Sequence, residues 1–454
     1  MAFGWSGGWL ERRPDAPTFR KDRRMNEKLV AKVMSYRWLV FAVLAIAYAL
    51  VYVHRVSLSV VANDLVRDFG VSAGTIGLLG SIYFYCYAAM QFPSGLLSDS
   101  VGPRKTVTFS LLIAAVGSIL FGLAPSIPVA ILGRALIGVG VSMVFIPTMK
   151  ILSQWYRAGE FAHMGGIFQA AGGIGTLVGT FLLGLLAVAV GWRWSFHIIA
   201  GGTLAVIAGA WFVVRNRPAD KGWPSIQEIE HRETAVVEPI QEIGLREGIR
   251  RVVSEKYFWP VAVWFFFDCG VFFGFGMLWS GPYLMHNYGM SKAQAGAILS
   301  MLAWGMIIGG PGLGVLSQRV LKSRKKTKML CMAVLTVLLA IATLYPAGLP
   351  RPLLLVWFFL FSVSSSPIVI MGFTTTKELF PLQIAGTSVG LVNIFPFLGG
   401  AVFMYLLGWL LDGYPKSAAG QYPVEAYQML MLALLLASIS ALACTFLMKD
   451  TYQS

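Results

Sequence analysis

Long apolar runs dominate this sequence and leave few folds open to it. A helix that crosses the hydrocarbon core of a bilayer needs about 20 apolar residues, and twelve runs of about that length can be placed in the 454 residues. Hydrophobic residues make up 57% of the chain and charged residues only 13%, whereas average soluble domains carry about 25% charged residues. We therefore predict an all-α integral membrane protein with twelve transmembrane helices.

The distribution of these runs predicts the domain organisation. The spans are placed at residues 38–62, 74–93, 106–124, 128–153, 164–190, 194–214, 258–282, 293–316, 328–347, 352–374, 383–411 and 426–448. A polar stretch without an apolar run divides them six and six. The predicted parts are an N-terminal arm (1–37), a six-helix bundle (38–214), a cytoplasmic linker (215–257), a second six-helix bundle (258–448) and a tail (449–454).

Lysine and arginine are unevenly distributed between the loops. With the N-terminus inside, about 28 of them fall on the cytoplasmic side and about five outside, so the positive-inside rule places both termini in the cytoplasm. The net charge is +15, and its clusters adjoin the spans. We interpret them as facing anionic lipid of a bacterial inner membrane rather than nucleic acid. The cysteines fall within predicted spans, which favours packing over a disulfide or metal site.

One short motif occurs twice in the chain. GLLSDSVGPRK, residues 95–105, follows the second span, and GVLSQRVLKSRK, residues 314–325, follows the eighth, about 220 residues later. Lys150, at the end of the fourth span, has counterparts in Lys377 and Glu378 at the end of the tenth. Two halves in parallel register predict a substrate site between them, near the middle of the membrane.

The first copy of this motif resembles the signature of the major facilitator superfamily, G-x-L-x-D-x-x-G-x-[RK]-[RK], at Gly95, Asp99, Gly102, Arg104 and Lys105. The resemblance covers essentially the whole chain and implies a transporter of two six-helix bundles. Glycines permit close helix approach, and an acid beside a positive helix end can hold the cytoplasmic face closed. We expect Asp99 with Arg104 to form such a latch, the alternative being an ordinary solvated turn. In the second copy Gln318 replaces the acid.

Charges inside the spans are few, and each costs about 2.5 to 3.5 kcal/mol at bilayer depth, which makes it a candidate for function. Tyr48, Tyr52, Arg55 and Ser59 follow one another at helical spacing and form a polar stripe on the first span. Arg55 offers a planar donor fork suited to a carboxylate or phosphate. We predict that Arg55 binds an anion; snorkelling to the interface or a structural ion pair is the alternative.

A narrower resemblance is to the organic-anion symporters and organophosphate exchangers, which also have an arginine in the first helix. The symporters commonly have an acid immediately before this arginine, where this chain has His54. A histidine can also carry a proton, because its pKa lies near 6.5. Asp268 lies in WFFFDCG, about nine residues into the seventh span, and is the second candidate carrier. Its alternative role is a permanent ion pair with Arg55 or Arg134.

Arg134 resembles the arginine of the superfamily's fourth-helix motif, which implies that it faces the inside of the bundle. Gln169, Tyr283 and Asn393 are uncharged groups that could line the same cavity, although a structural hydrogen bond is the other role open to each. Lys150, Lys377 and Glu378 are interpreted as charges at the cytoplasmic ends of their spans.

Enzyme signatures such as a P-loop, a nucleophile elbow or a dinucleotide fingerprint are not found. We predict a secondary active transporter that moves a small organic anion by alternating access with proton coupling. It would work as a monomer, without a cofactor. The alternatives are a transporter of zwitterions or short peptides, and a transporter-like membrane sensor.

Overall fold

The structure is a computed structural model that describes residues 17–229, 245–366, 368–417 and 420–452. Parts of the predicted arm, linker and tail, residues 1–16, 230–244 and 453–454, lie outside the described residues. Within the described ranges all regular secondary structure is helical. The predicted all-α class is therefore confirmed.

The N-terminal half, taken here as residues 17–214, contains α1 (Pro17–Phe69), α2 (Ala73–Ala89), α3 (Gln91–Ser100), α4 (Pro103–Leu123), α5 (Ile127–Ser142), α6 (Phe145–Trp155), α7 (Ala158–Leu177) and α8 (Leu183–Phe212). A π-helical turn, Val178–Leu182, connects α7 to α8. The segment that follows includes a short 3-10 helix, Pro218–Lys221, and the helices α9 (Ile226–Ile229) and α10 (Leu245–Ser254).

The C-terminal half, residues 258–448, contains α11 (Phe258–Val271), α12 (Ser280–Asn287), α13 (Lys292–Val315), α14 (Arg324–Leu344), α15 (Arg351–Ser365), α16 (Val369–Glu378), α17 (Leu382–Val392), α18 (Ile394–Asp412) and α19 (Val424–Leu447). A π-helical segment, Phe272–Trp279, joins α11 to α12, and Leu316–Val320 extends α13 in the same way.

Ten of the described helical segments are long and apolar enough to cross a membrane, and α2 with α3, bent by 44°, makes an eleventh if counted as one span. One of the ten, His163–Phe212, has 50 residues, which is about twice the length that a bilayer requires. Gly191, at φ 82° and ψ 160°, interrupts it between the predicted fifth and sixth spans. Dividing this segment into two spans at Gly191 would bring the eleven to the twelve predicted from the sequence. The number twelve remains a prediction. The first helix is longer than predicted, since α1 has 53 residues.

Helices α2 and α18 pack against each other across the interface between the halves. A Cβ added to Gly77 would lie 2.5 Å from the carbonyl oxygen of Met404, so only glycine allows this approach. Both helices are interrupted near the same level: α2 gives way to α3 at Met90, and α17 gives way to α18 at Asn393. Gln91 and Asn393 meet there, because the Asn393 amide donates to Gln91 Oε1 at 2.6 Å.

Polar contacts between the halves concentrate at one end of the molecule. Lys292 donates to the two carboxylate oxygens of Asp64 at 2.8 and 2.6 Å. His286 contacts Asn63 of α1 at 3.5 Å and Tyr427 of α19 at 2.9 Å. Because α1 ends here and α19 begins here, the start of α1 and the end of α19 lie at the opposite end.

At that opposite end, three ion pairs each join residues of one half. They are Arg37 with Glu160 at 2.8 Å, Asp99 with Lys150 at 2.5 Å, and Arg324 with Glu378 at 2.6 Å. The ion pair between Asp64 and Lys292, by contrast, connects the two halves at the end far from the termini.

Candidate functional site

A cavity with about 650 Å³ of empty space lies between the halves. Five of the residues predicted to bind substrate line it: Tyr48, Tyr52, Arg55, Gln169 and Asn393. The predicted stripe along α1 thus has Tyr48, Tyr52 and Arg55 on the face that lines this cavity.

Arg55 is buried in this cavity wall, with 3% of its surface exposed. Its guanidinium carbon lies 4.5 Å from the ring centre of Tyr52, 5.2 Å from that of Tyr87 and 5.2 Å from that of Phe273. Phe84 and Phe397 lie slightly farther away. Aromatic faces attract a cation, yet they do not neutralise it, and no acidic side chain in the described ranges pairs with Arg55. The site can therefore accept an anion as the missing partner.

Gln169 of α7 is oriented by the first helix. The Tyr48 hydroxyl donates to Gln169 Oε1 at 2.9 Å, and the Tyr48 ring stacks on Phe168, with ring centres 4.3 Å apart. Since the amide oxygen is occupied, the amide nitrogen of Gln169 remains as a donor at the cavity.

Asp268 is fully buried beside the cavity. Its Oδ1 accepts a hydrogen bond from Ser365 at 2.8 Å, while its Oδ2 has no partner among the described residues. The neighbours Cys269 and Ser365 both line the cavity. The alternative of an ion pair with Arg55 or Arg134 is wrong for this conformation, since neither arginine pairs with Asp268. Whether Asp268 carries a proton remains a prediction.

His54 does not face the cavity. Its Nε2 lies 3.2 Å from the Thr203 hydroxyl of α8, and that hydroxyl donates to the Ile199 carbonyl at 2.8 Å. Because the threonine proton is used in this way, Nε2 of the histidine is assigned as the donor. His54 is one residue from Arg55 and therefore points about 100° away around the helix. The predicted proton-coupling role of His54 is not supported by this position.

Arg134 and Tyr283 also lie away from the described cavity lining, contrary to expectation. Arg134 is fully buried and donates to the backbone carbonyls of Leu79 at 3.3 Å and His54 at 3.1 Å. It therefore joins α5 to α2 and α1. Tyr283 is buried on α12, the helix whose His286 contacts α1, and its hydroxyl lies 3.4 Å from that of Tyr288. Tyr283 thus has the structural role that was its alternative, whereas Arg134 holds helices together through two of its guanidinium nitrogens and its Nη2 has no partner among the described residues.

The signature motif forms a different contact from the expected one. Asp99 pairs with Lys150 at 2.5 Å rather than with Arg104. Arg104 is held by the Trp211 carbonyl, its guanidinium lies 4.8 Å from the Trp211 ring, and its backbone N–H donates to Asn216 Oδ1 at 2.8 Å. The motif therefore joins helices within the N-terminal half, and a latch between the halves is not formed here.

The two motif glycines differ in their surroundings, and Lys105 is exposed. Gly102 has φ 94°, a conformation that favours glycine, and an added Cβ would lie 3.2 Å from the Asn216 amide. Gly95 has nothing within 4 Å of such a Cβ. The expected close helix approach at Gly95 is therefore wrong.

The second motif copy has an ion pair of reversed polarity. Arg324, the first residue of α14, donates to Glu378 at the end of α16 at 2.6 Å, and the Thr451 hydroxyl donates to the other Glu378 oxygen at 2.7 Å. In the N-terminal half the acid is in the motif and the base is on the partner helix. Lys377 is exposed. The second motif copy therefore has Gln318 in place of the motif acid, and the acid of its ion pair, Glu378, is on α16 instead.

Sequence reasoning missed several cavity residues, among them Gln91, Tyr87, Ser365 and Ser366. Gln91 had a readable signal, since it is an amide within an apolar run immediately before the motif. The serines and aromatic residues had none, because these residue types are ordinary in membrane helices.

The Major Facilitator Superfamily profile matches residues 44–404, which is most of the chain. The chain belongs to the Major Facilitator Superfamily. It is therefore a multi-pass membrane transporter of small molecules and not an enzyme, as predicted.

Curated relatives in the superfamily resemble this chain over nearly its full length. A probable hexose phosphate transport protein of Chlamydia trachomatis is 26% identical and is covered over 86% of its length and 84% of this chain. A probable sulfoacetate transporter of Cupriavidus necator is 24% identical, and the match covers 94% of that protein and 90% of this chain. A probable galactarate/D-glucarate transporter of Escherichia coli K12 is 24% identical, and the match covers 88% of that protein and 83% of this chain.

Solved superfamily structures show the same fold. A bacterial homologue of the human lysosomal transporter Spinster, inward-facing and unoccupied, matches with a TM-score of 0.73 at 18% identity, covering 91% of this chain and 96% of that one. The nucleoside transporter NupG matches with a TM-score of 0.69 at 11% identity, and the match covers 90% of this chain and 99% of that one. At these identities the likeness concerns the fold alone.

Proposed function

We propose that this protein is a secondary active transporter of the cytoplasmic membrane that moves a small organic anion by alternating access. The observation that carries the proposal is the buried guanidinium of Arg55, which borders the central cavity without an acidic partner among the described residues. A buried cation without a counter-charge is costly. An anionic substrate supplies that charge and so gains binding energy at this point.

The names of the relatives support the same class of cargo. Hexose phosphates, sulfoacetate, galactarate and D-glucarate differ in size and shape, and each carries at least one acidic group. Anion recognition is thus the chemistry that these relatives have in common. For this chain we assign that chemistry to Arg55.

We further propose that transport is coupled to protons through Asp268. Its carboxyl group is buried, has one oxygen without a partner among the described residues, and is linked to the cavity wall by Ser365. A carboxyl group in such surroundings can alternate between charged and neutral forms as the cavity changes its exposure to water. His54 is not part of this proposal.

The loop charges support an orientation with both termini in the cytoplasm. In that orientation the Asp64–Lys292 end is the outer end, and the described conformation is closed to the outside. We propose a monomer as the working unit, because the cavity is formed by the two halves of one chain.

The test starts from a thermal-shift screen of purified protein against carboxylates, sugar acids, phosphate esters and dipeptides. Counterflow of a stabilising ligand is then measured in proteoliposomes for the wild type and Arg55→Gln, with Arg67→Gln as control because Arg67 is exposed at the outer end. Arg55→Gln should abolish binding, while the control keeps it. Unchanged affinity in Arg55→Gln would overturn the proposal, and binding without counterflow would indicate a sensor.

A further inference from the structure

The charge of the cavity wall is one-sided. Among the described residues that line the cavity, Arg55 is the one with a permanent charge, and it belongs to the N-terminal half. The C-terminal half contributes aromatic, apolar and uncharged polar side chains, including Ser365, Ser366, Val369 and Asn393. A substrate in this cavity therefore meets a single positive group.

A second acidic group on the substrate would have no cation to meet. Removing such a group from water without a counter-charge is unfavourable. The nearest acid makes the opposite half less suitable still, since Asp268 lies behind Ser365 and Cys269, both of which line the cavity. A charged Asp268 repels a second anion, and a neutral Asp268 offers it no positive charge.

The remainder of the cavity suits an uncharged body. The Gln169 amide nitrogen is a donor, because its oxygen accepts from Tyr48. The Asn393 amide donates to Gln91, which leaves the Asn393 oxygen as an acceptor at the wall. Such groups recognise hydroxyl or amide groups without favouring a further charge.

We propose that this transporter differs from the relatives named above, whose cargoes have two acidic groups or a phosphate ester: it selects substrates with one acidic group and discriminates against those with two acidic groups or a doubly charged phosphate. The cargo is then a monocarboxylate with an uncharged, hydrogen-bonding body. This inference rests on the proposed function and narrows its substrate class.

The first experiment compares matched compounds on the purified wild-type protein by displacement or thermal shift. The pairs differ in charge on a similar body: D-gluconate with D-glucarate, butyrate with succinate, and D-gluconate with D-glucose 6-phosphate. We expect the monocarboxylate of a pair to bind at least about tenfold more tightly than its dicarboxylate. A dicarboxylate or phosphate ester that binds as tightly as a monocarboxylate overturns the inference and leaves the proposed function intact. Failure of all the anions to bind counts against the proposed function itself.

The second experiment supplies the missing cation. Val369→Lys places a positive charge on the C-terminal side of the cavity, and Val369→Met is the control of similar length without charge. Val369→Lys should raise the affinity for the dicarboxylate at least about tenfold relative to its monocarboxylate, and the control should not. An unchanged ratio in a well-folded Val369→Lys protein contradicts the inference, and the wild-type comparison decides it if the variant does not fold.

Discussion

Asp412, at the end of α18, caps the start of α2 in the other half of the molecule. Its carboxylate accepts hydrogen bonds from the backbone N–H groups of Ala73 at 2.8 Å and Gly74 at 2.6 Å. The first N–H groups of a helix lack partners within the helix, and a negative charge is favourable there. The Tyr422 hydroxyl donates to the same carboxylate at 2.8 Å. This cap joins the halves at the end where the Asp64–Lys292 pair also lies.

Gly74→Ala should weaken the closed outer end. An added Cβ would lie 2.8 Å from Asp412 Oδ2, so the carboxylate must move away from the helix start. We expect faster labelling from outside of a single cysteine placed at Ser59, in a background without the native cysteines. Gly201→Ala is the matched control, because nothing lies within 4 Å of its added Cβ. Equal labelling of both variants would show that the cap does not hold this end closed.

Exchange of Asp99 and Lys150 should preserve the motif contact. Both side chains are substantially exposed, and exposed ion pairs contribute about 0 to 1 kcal/mol. Asp99→Lys should therefore lower the unfolding temperature slightly, and the double variant Asp99→Lys with Lys150→Asp should restore it, most clearly at low salt. A double variant as unstable as the single one would argue against a direct pair.

The two motif glycines should respond differently to alanine. Gly102→Ala forces a side chain into a left-handed conformation, which costs about 1 to 2 kcal/mol, and it crowds Asn216. Gly95→Ala adds a methyl group to open space and should leave stability nearly unchanged. Thermal unfolding in one detergent measures both, and equal losses would contradict the assigned geometry.

Asp268→Asn should block uphill, proton-driven accumulation while leaving exchange of substrate intact. The asparagine amide is similar in shape to the carboxyl group, but it does not take up and release a proton at physiological pH. Uptake driven by an imposed pH gradient and counterflow are measured side by side, with Ser365→Ala to test the hydrogen bond alone. Survival of uphill uptake in Asp268→Asn would place the proton carrier elsewhere.

Acid should weaken the contact between Arg37 and Glu160. Burial raises the pKa of Glu160, but hydrogen bonds and charge from Arg37 and Arg157 outweigh it, so the net pKa lies below the ordinary value. A carboxyl group with a lowered pKa stabilises the folded state at neutral pH, and this contribution is lost as the pH falls through that pKa. The difference in unfolding temperature between wild type and Glu160→Gln should therefore shrink on going from pH 7 toward pH 4.

The apolar helices, the motif and the presence of a charge at Arg55 within an apolar run were predictable because each depends on local properties. The length of an apolar run is read directly from the chain, and a charged residue inside such a run is visible before its partners are known. Helical spacing also put Tyr48, Tyr52 and Arg55 on one face. The partners of charged groups were less accessible, since Asp99 meets Lys150 rather than the nearby Arg104.

By itself, the sequence determined a helical membrane transporter with a charged stripe in its first span. The tertiary structure decided which face of that span meets the cavity. His54 and Arg55 are neighbours in sequence, yet α8 covers the histidine and the space between the halves receives the arginine. Likewise, Gln91 and Asn393 meet only because α2 and α18 pack across the interface. The helical period fixes the angle between neighbouring side chains on a helix. Only the packing of the surrounding helices determines whether each side chain faces another helix or the cavity.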